Sequence, residues 1–281
     1  MSRFLTRVFS EKGKREVNED SCTAQKIGDE TYFLSVADGM GGKKGGEIAS
    51  KLVISNISKY LEKTFKNDIS DDDLKGILAE AFFIAQNAIS NFTINNPNLK
   101  GMGTTLSLVL IHNKSYVWGN VGDSRIYLIK DTDIKLITED HTYISDYLKS
   151  GRQELPAKIL ASYSNIVTRI IDGGKDEPDI YPSIKKCNLL EEGSIFLLCS
   201  DGLIIDKSID LSHIFYNIIS KNGSLRRISK NLVKWALENG SDDNISVVFG
   251  KYGTSSNRKD DDDFKTVRIV LKSTNHDTEE A

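Results

Sequence analysis

Four aspartates in this sequence close or follow strand-like runs, and a small or polar residue succeeds each one: Asp38-Gly39, Asp123-Ser124, Asp201-Gly202 and Asp243-Asn244. Asp20, in Asn18-Glu19-Asp20-Ser21, is a fifth candidate. A single aspartate at such a place is an ordinary turn residue. Several of them, at the ends of runs spread along the whole chain, point instead to convergence on one spot. Gathered without cations, they would repel one another and several would have to take up protons. Magnesium and manganese favour carboxylate, carbonyl and water ligands, so these residue types imply a site for hard divalent cations. Gly39 and Gly202 let the backbone turn sharply and approach closely, with a carbonyl available as a further ligand.

The elements that must position these groups follow from periodicity. An apolar run from Tyr32 to Ala37 predicts a buried strand ending at Asp38, and Ile195 to Ser200 predicts its counterpart ending at Asp201. Two earlier strands are expected over Phe4–Phe9 and Ser21–Ile27, joined by the polar turn Gly13 to Asp20. Ile48, Leu52, Val53, Ile57, Tyr60 and Leu61 recur at helical spacing. A second helix is expected from Ser70, with Asp73 as a capping-box partner and Leu74, Ile77, Leu78, Ala81, Phe82, Ala85 and Ile89 as its core face. Thr104–Ile111, Ser115–Gly119, Ser124–Lys130 and Ile134–Ile137 predict an antiparallel meander. The stretch His141 to Lys175 is polar, with a short helix near Tyr143–Lys149. Strands over Asp179–Lys186 and Ser194–Ser200, a helix over Leu225–Leu237 and a strand over Ile245–Gly250 complete the pattern. Two helices, then a run of strands, then a further helix fits α+β better than alternating βαβ. Trp118 and Trp235 read as core residues.

Composition bounds the function. A formal net charge of −3 argues against a nucleic-acid binder, which would show a basic excess. Met1 to Phe9 carries no long apolar segment, and no apolar run reaches the length of a bilayer span. Cys22, Cys187 and Cys199 have no metal-ligand spacing and cannot all pair, which fits reduced thiols in a cytoplasmic protein. Gly41-Gly42-Lys43-Lys44-Gly45-Gly46 fails the Walker pattern, and Gly101-Met102-Gly103 lacks the third glycine of a dinucleotide fingerprint. Residues 253–281 are polar, with an acidic run at Asp260–Asp263, and are expected to form a disordered acidic tail beyond a domain of residues 1–252.

The exact strings go further. Arg15-Glu16-Val17-Asn18-Glu19-Asp20-Ser21, Asp38-Gly39-Met40-Gly41-Gly42, Gly101-Met102-Gly103-Thr104-Thr105, Gly119-Asn120-Val121-Gly122-Asp123-Ser124-Arg125, Ile137-Thr138-Glu139-Asp140-His141, Ser200-Asp201-Gly202-Leu203 and Asp243-Asn244-Ile245-Ser246 occur in this order. Together they resemble the signature blocks of the metal-dependent (type 2C) protein Ser/Thr phosphatases, in particular bacterial members, over roughly Arg7 to Lys251.

The resemblance implies a four-layer α-β-β-α sandwich with two central antiparallel sheets. It implies two manganese or magnesium ions, with Asp38 bridging them and the Gly39 carbonyl assisting. Asp201 and Asp243 would complete the pair, and a third ion would sit near Asp123 and Asp201. Glu19 and Asp20 would contact a metal directly or through water, and Arg15 would grip the substrate phosphate. A water between the ions would lose its proton and attack phosphorus in line, without a phosphoenzyme. The implied substrates are phosphorylated proteins, the implied counterpart is a Ser/Thr kinase, and no nucleic acid or membrane is involved. The chain departs from the family in three places. Met40 stands where some relatives carry a histidine general acid. Ala161-Ser162-Tyr163-Ser164-Asn165 replaces a His-Pro pair, and Ile204-Ile205-Asp206 replaces Thr-Asp after Asp201-Gly202-Leu203. His141 beside Asp140 is expected to be structural. A catalytically inactive phosphatase fold used as a binding or sensing module, and a hydrolase of small phosphate esters, are the rival readings.

Overall fold

A computed structural model describes residues 3–41, 45–65, 69–70, 73–151, 163, 165–174, 188–207, 210–221 and 223–253. The strands are β1 (Arg3–Glu11), β2 (Asp20–Gly28), β3 (Thr31–Met40), β4 (Gly103–Thr104), β5 (Leu106–His112), β6 (Ser115–Val121), β7 (Arg125–Lys130), β8 (Asp133–Leu136), β9 (Asn188–Leu189), β10 (Ile195–Cys199) and β11 (Ile245–Gly253). The helices are α1 (Gly45–Thr64), α2 (Leu74–Asn95), α3 (Tyr143–Lys149), α4 (Ser212–Ser220) and α5 (Leu225–Glu238). All strand pairings are antiparallel. One sheet runs β1-β11-β10-β7-β8; the other runs β2-β3-β5-β6-β9, with β4 added to β3.

Strand alternation builds the layers. In β3, Phe33 and Ala37 join Ala49, Val53, Ile57, Leu78, Phe82 and Ala85 from α1 and α2 in one core. The alternate residues Tyr32, Leu34 and Val36 point the other way, into a second core shared with Phe196 and Leu198 of β10 and Val248 of β11. The remaining parity of β10 and β11, Leu197, Cys199, Val247 and Phe249, packs on α4 and α5 through Phe215, Ile228, Leu232 and Ala236. Three stacked cores make four layers, α-β-β-α. Fully burying a side chain such as Leu232 contributes about 1.5–3 kcal/mol.

The expected elements are present with shifted bounds, and the differences have local causes. The strand expected over 104–111 is interrupted at Thr105: its N–H still donates in register to the Asp38 carbonyl (2.8 Å), but the return bond runs from the Asp38 N–H to Thr105 Oγ1 (2.9 Å). The second helix begins at Leu74; Ser70 Oγ donates to the Asp73 carboxylate (2.6 Å), and Asp73 makes no side-chain cap bond. Helix α4 was not expected. Its sequence is rich in β-branched and aromatic residues, and Leu211 and Phe215 seat it against the sheet. By length and composition α2 could span a bilayer, contrary to the sequence reading, but Leu74, Leu78, Ala81 and Phe82 bury it in the first core. The strand expected over 179–186, Cys187 and the tail beyond Gly253 lie outside the described residues.

Candidate metal centre

The centre sits at one end of the inter-sheet layer, where the apolar parity of the strands gives way to acid. Tyr32, Leu34 and Val36 are followed on the same face by Asp38, and Cys22 is preceded on its face by Asp20. The β2–β3 register sets Asp20 directly opposite Asp38. Like charges facing each other across strands destabilise a sheet. Neither has an ion-pair partner among the described residues, and Asp20 Oδ1 is buried without a hydrogen bond. Burial, then the neighbouring carboxylates, raise both acids: Asp20 to about 7, and Asp38 well above its ordinary value under the charges of Asp20, Asp201, Asp123 and Asp243.

The backbone around Asp38 is fixed by the Gly101 to Thr105 block. Thr105 Oγ1 accepts from the Asp38 N–H (2.9 Å), and Thr104 Oγ1 donates to the Asp38 carbonyl (2.8 Å). Gly39 has to be glycine, because a Cβ there would lie 2.0 Å from the Gly46 carbonyl oxygen.

Asp201 and Asp243 arrive from the other sheet. Strand β10 ends in a tight 3-10 turn, Asp201–Leu203, whose Gly202 lies against Asn244, the residue before β11; a Cβ would meet the Asn244 carbonyl oxygen at 2.0 Å. Helix α5 delivers Asp243. It is capped by Ser224 Oγ, which accepts from the Arg227 N–H, and it ends as Gly240 turns at φ +102°. Ser241 Oγ then donates to the Gly202 carbonyl (2.7 Å), tying the two aspartate turns together. Ser200 Oγ donates to Asp20 (2.7 Å) and accepts from the Ser246 N–H (2.9 Å), joining the sheets beneath the acids.

Asp123, on the β6–β7 turn, is held by an interlock of two sequence blocks. Buried Arg125 forks onto Asp140, with contacts of 2.7–3.2 Å. Asn120 Nδ2 donates to the Gly122 and Glu139 carbonyls. His141 Nδ1 accepts from the Gly122 N–H (3.1 Å), and burial chiefly lowers its pKa to about 4, so a neutral, structural imidazole is the consistent state. Asp123 itself is raised to about 6, by burial and then by Asp201. Lys207 approaches it: Nζ donates to Asp123 Oδ2 (2.5 Å) and to Asp201 Oδ2 (3.1 Å).

At the rim, half-exposed Arg15 pairs with Asp243 (2.8 Å) and keeps the rest of its fork toward solvent. The Glu19 carboxyl is raised by burial, an effect Arg15 opposes. A polar cavity of about 300 Å³ adjoins the centre, lined by Asn165, Asp201, Lys207, Ser241 and Asp243 among others.

The expected site residues Glu19, Asp20, Asp38, Gly39, Asp123, Asp201, Asp243 and Arg15 therefore share one region. Asn244 and Lys207 were not singled out as site residues. Asn244 Oδ1 accepts from the Glu19 N–H (2.8 Å), and its Nδ2 donates to the Lys12 and Val17 carbonyls (2.8 and 2.9 Å), clamping the block that carries Arg15 and Glu19. Its place directly after Asp243 was the available signal. Lys207 had none beyond the departure of Ile204-Ile205-Asp206 from the family string.

The centre suits hard cations. Its uncompensated Asp20–Asp38 pair and the orphaned Asp20 Oδ1 call for positive charge. Among the described residues no group of three Asp, Glu, His or Cys side chains closes on a point as a finished ligand sphere. Magnesium-like ions tolerate this, because they bind through one or two carboxylates and keep several waters.

A protein-family profile described as Protein phosphatase 2C matches residues 10–239. The serine/threonine protein phosphatase PstP of Mycobacterium tuberculosis is 32% identical over 234 residues, 83% of this chain and 42% of that protein. The chain thus spans less than half the length of that relative. Protein phosphatase PhpP of Streptococcus pneumoniae is 31% identical over 220 residues, 77% of this chain and 84% of that protein. A solved structure of the catalytic domain of PstP in complex with two manganese ions superposes with a TM-score of 0.73 at 28% identity, covering 90% of this chain and 100% of that one.

Proposed function

The chain belongs to the protein phosphatase 2C family, and from that premise we propose that it is a metal-dependent protein phosphatase acting on phosphoserine and phosphothreonine. The observation that carries the reading is the facing pair Asp20 and Asp38, ringed by Asp123, Asp201 and Asp243 at the mouth of the inter-sheet core. A fold that kept only a binding role would have no use for that repulsion.

Asp38, with the Gly39 carbonyl, and Asp201 with Asp243 would hold two manganese or magnesium ions; Asp20 and Glu19 would support them directly or through water. Bound there, the ions would supply a water that deprotonates near neutral pH and charge to offset that developing on phosphorus. The chain's own residues do the rest. Arg15, anchored by one nitrogen on Asp243, keeps donors free for two phosphate oxygens. Thr104 and Thr105 hold the Asp38 backbone, so its carboxylate does not have to reorganise during the reaction. Met40 offers no proton to the leaving oxygen, and His141 is held on Gly122, so leaving-group protonation falls to solvent.

Residues 1–252 would form the phosphatase domain, with 253–281 as a separate acidic appendage. The cytoplasm is the proposed location, because Cys22 and Cys199 are free, buried thiols whose pKa burial pushes up to about 12. A Ser/Thr kinase that installs the removed phosphates would be the counterpart. The test is hydrolysis of a phosphothreonine peptide, with a nucleotide as control, with and without manganese, in wild type, Asp38→Ala and Asp201→Ala. Metal-dependent release from the peptide, lost in both variants, supports the reading. No release from a folded, manganese-loaded wild type overturns it, and preference for the nucleotide would assign small esters instead.

A further inference from the structure

The resemblance predicts a third ion between Asp123 and Asp201, but an ammonium stands at that position. Lys207 Nζ donates to Asp123 Oδ2 at 2.5 Å and to Asp201 Oδ2 at 3.1 Å. It is not a surface lysine that has drifted inward: its side chain is 17% exposed, that of Asp123 3% and that of Asp201 22%. The route to this position is also built. After the Asp201–Leu203 turn, the Ile204 N–H closes on the Asp201 carbonyl (2.7 Å) and the Ile204 side chain is buried in the outer core. The segment that carries Lys207 is thereby held beside the two aspartates. A divalent ion shared by Asp123 and Asp201 would need these same oxygens.

We propose that Lys207 is a tethered cation that takes the place of a third metal ion between Asp123 and Asp201, leaving a centre that binds two. The inference rests on the phosphatase reading above. Lys207 is a positioning residue: it holds Asp123 and Asp201 and supplies a fixed positive charge that does not depend on the metal concentration. A dication entering there would have to displace a half-buried ammonium from two carboxylates, at the expense of two charge-assisted hydrogen bonds.

The experiment is a manganese titration of the full chain by equilibrium dialysis with metal analysis, in wild type, Lys207→Ala and Lys207→Ala/Asp123→Ala. The expected result is two ions per chain in wild type, three in Lys207→Ala and two again in the double variant. The melting temperature in EDTA should fall in Lys207→Ala and recover further on manganese addition than wild type does. Lys207→Gln, which keeps the length of the side chain and loses its charge, replaces the alanine variant if that chain does not fold. Three ions in wild type, or two in the folded Lys207 variant, would overturn the inference and leave the phosphatase reading standing. A wild type that binds no manganese and releases no phosphate would instead overturn that reading.

Discussion

Asp38-Gly39 and Asp201-Gly202 are one sequence device used in two electrostatic settings. Each aspartate follows a buried apolar strand, and each glycine lies under a backbone oxygen that a Cβ would meet at 2.0 Å, from Gly46 in one case and Asn244 in the other. Beyond that they diverge. Strand β3 runs on past Asp38 to pair with β4, whereas β10 breaks at once into a 3-10 turn. Asp38 faces Asp20 across the ladder and has no cation beside it among the described residues, while Asp201 receives Lys207. The difference teaches that identical strand endings do not imply identical charge balance. One half of the centre is left for ions to complete, and the other arrives partly completed by the chain.

The largest effect should come from neutralising each aspartate in turn. Asp38→Asn and Asp201→Asn should both lower turnover on a phosphothreonine peptide by roughly 10²–10³-fold or more. In EDTA their melting temperatures should move apart: Asp38→Asn upward, by relief of repulsion, and Asp201→Asn downward, by taking one partner from Lys207. Shifts in the same direction would break the comparison. The shared feature is tested by Gly39→Ala and Gly202→Ala, each of which forces a methyl group into a carbonyl. Both should lose about 1–3 kcal/mol in urea unfolding, and only one doing so would show that the two turns are not packed alike.

A third test uses pH. Folded and metal-free, Asp20 holds its proton to about 7 and Asp123 to about 6, whereas unfolded aspartates release theirs near 3.9. The folded state therefore binds the extra protons, and stability in EDTA should fall as pH rises from about 4 to about 7, by up to about 1.4 kcal/mol per unit per group, and level off above that. His141, neutral in the fold and about 4, acts with the opposite sign, since its stabilisation is lost as pH falls below the unfolded value. That loss runs between about 4 and 6.5 and offsets one of the two carboxylates over this range, leaving a net fall as pH rises. Manganese should flatten the slope between about pH 4 and 7. The smallest effect belongs to the rim: Arg15→Lys should weaken peptide turnover about tenfold, by trading a fork for a point charge, with unfolding changed by no more than about 1 kcal/mol.

Much of this was legible in the sequence because strand alternation and aspartate placement are local signals. Tyr32, Leu34 and Val36 announce the face on which Asp38 falls, and the Gly101–Thr105 string sits where the Asp38 backbone needs partners. Helix α4 was not legible. Leu211 makes no side-chain cap for Ser212–Ser220, the Ser212 N–H going instead to the Asp210 carboxylate (2.9 Å), and the helix's β-branched residues favour a strand until Phe215 finds its place against Tyr127 and Trp235. Lys207 was illegible for a different reason. Its partners lie on another turn and at the end of another strand, and a lone lysine in a polar segment carries no periodicity. Asn244 stood within a recognised string, but its clamp on Lys12, Val17 and Glu19 is a contact between distant parts of the chain that only the fold reveals.

That clamp, with the pairing of β1 along the whole of β11, bears on how the protein is made. The strand that carries Arg7 and Phe9 leaves the ribosome early, yet its partner and the residues that seat Arg15 and Glu19 are translated near Asp243 to Gly253. Contacts of such long sequence separation form late and fold slowly. A nascent chain that has already displayed Asp38, Asp123 and Asp201 would still lack the element that closes the centre. Phosphatase activity would then switch on only when β11 is released, and no shorter translation product should dephosphorylate its targets.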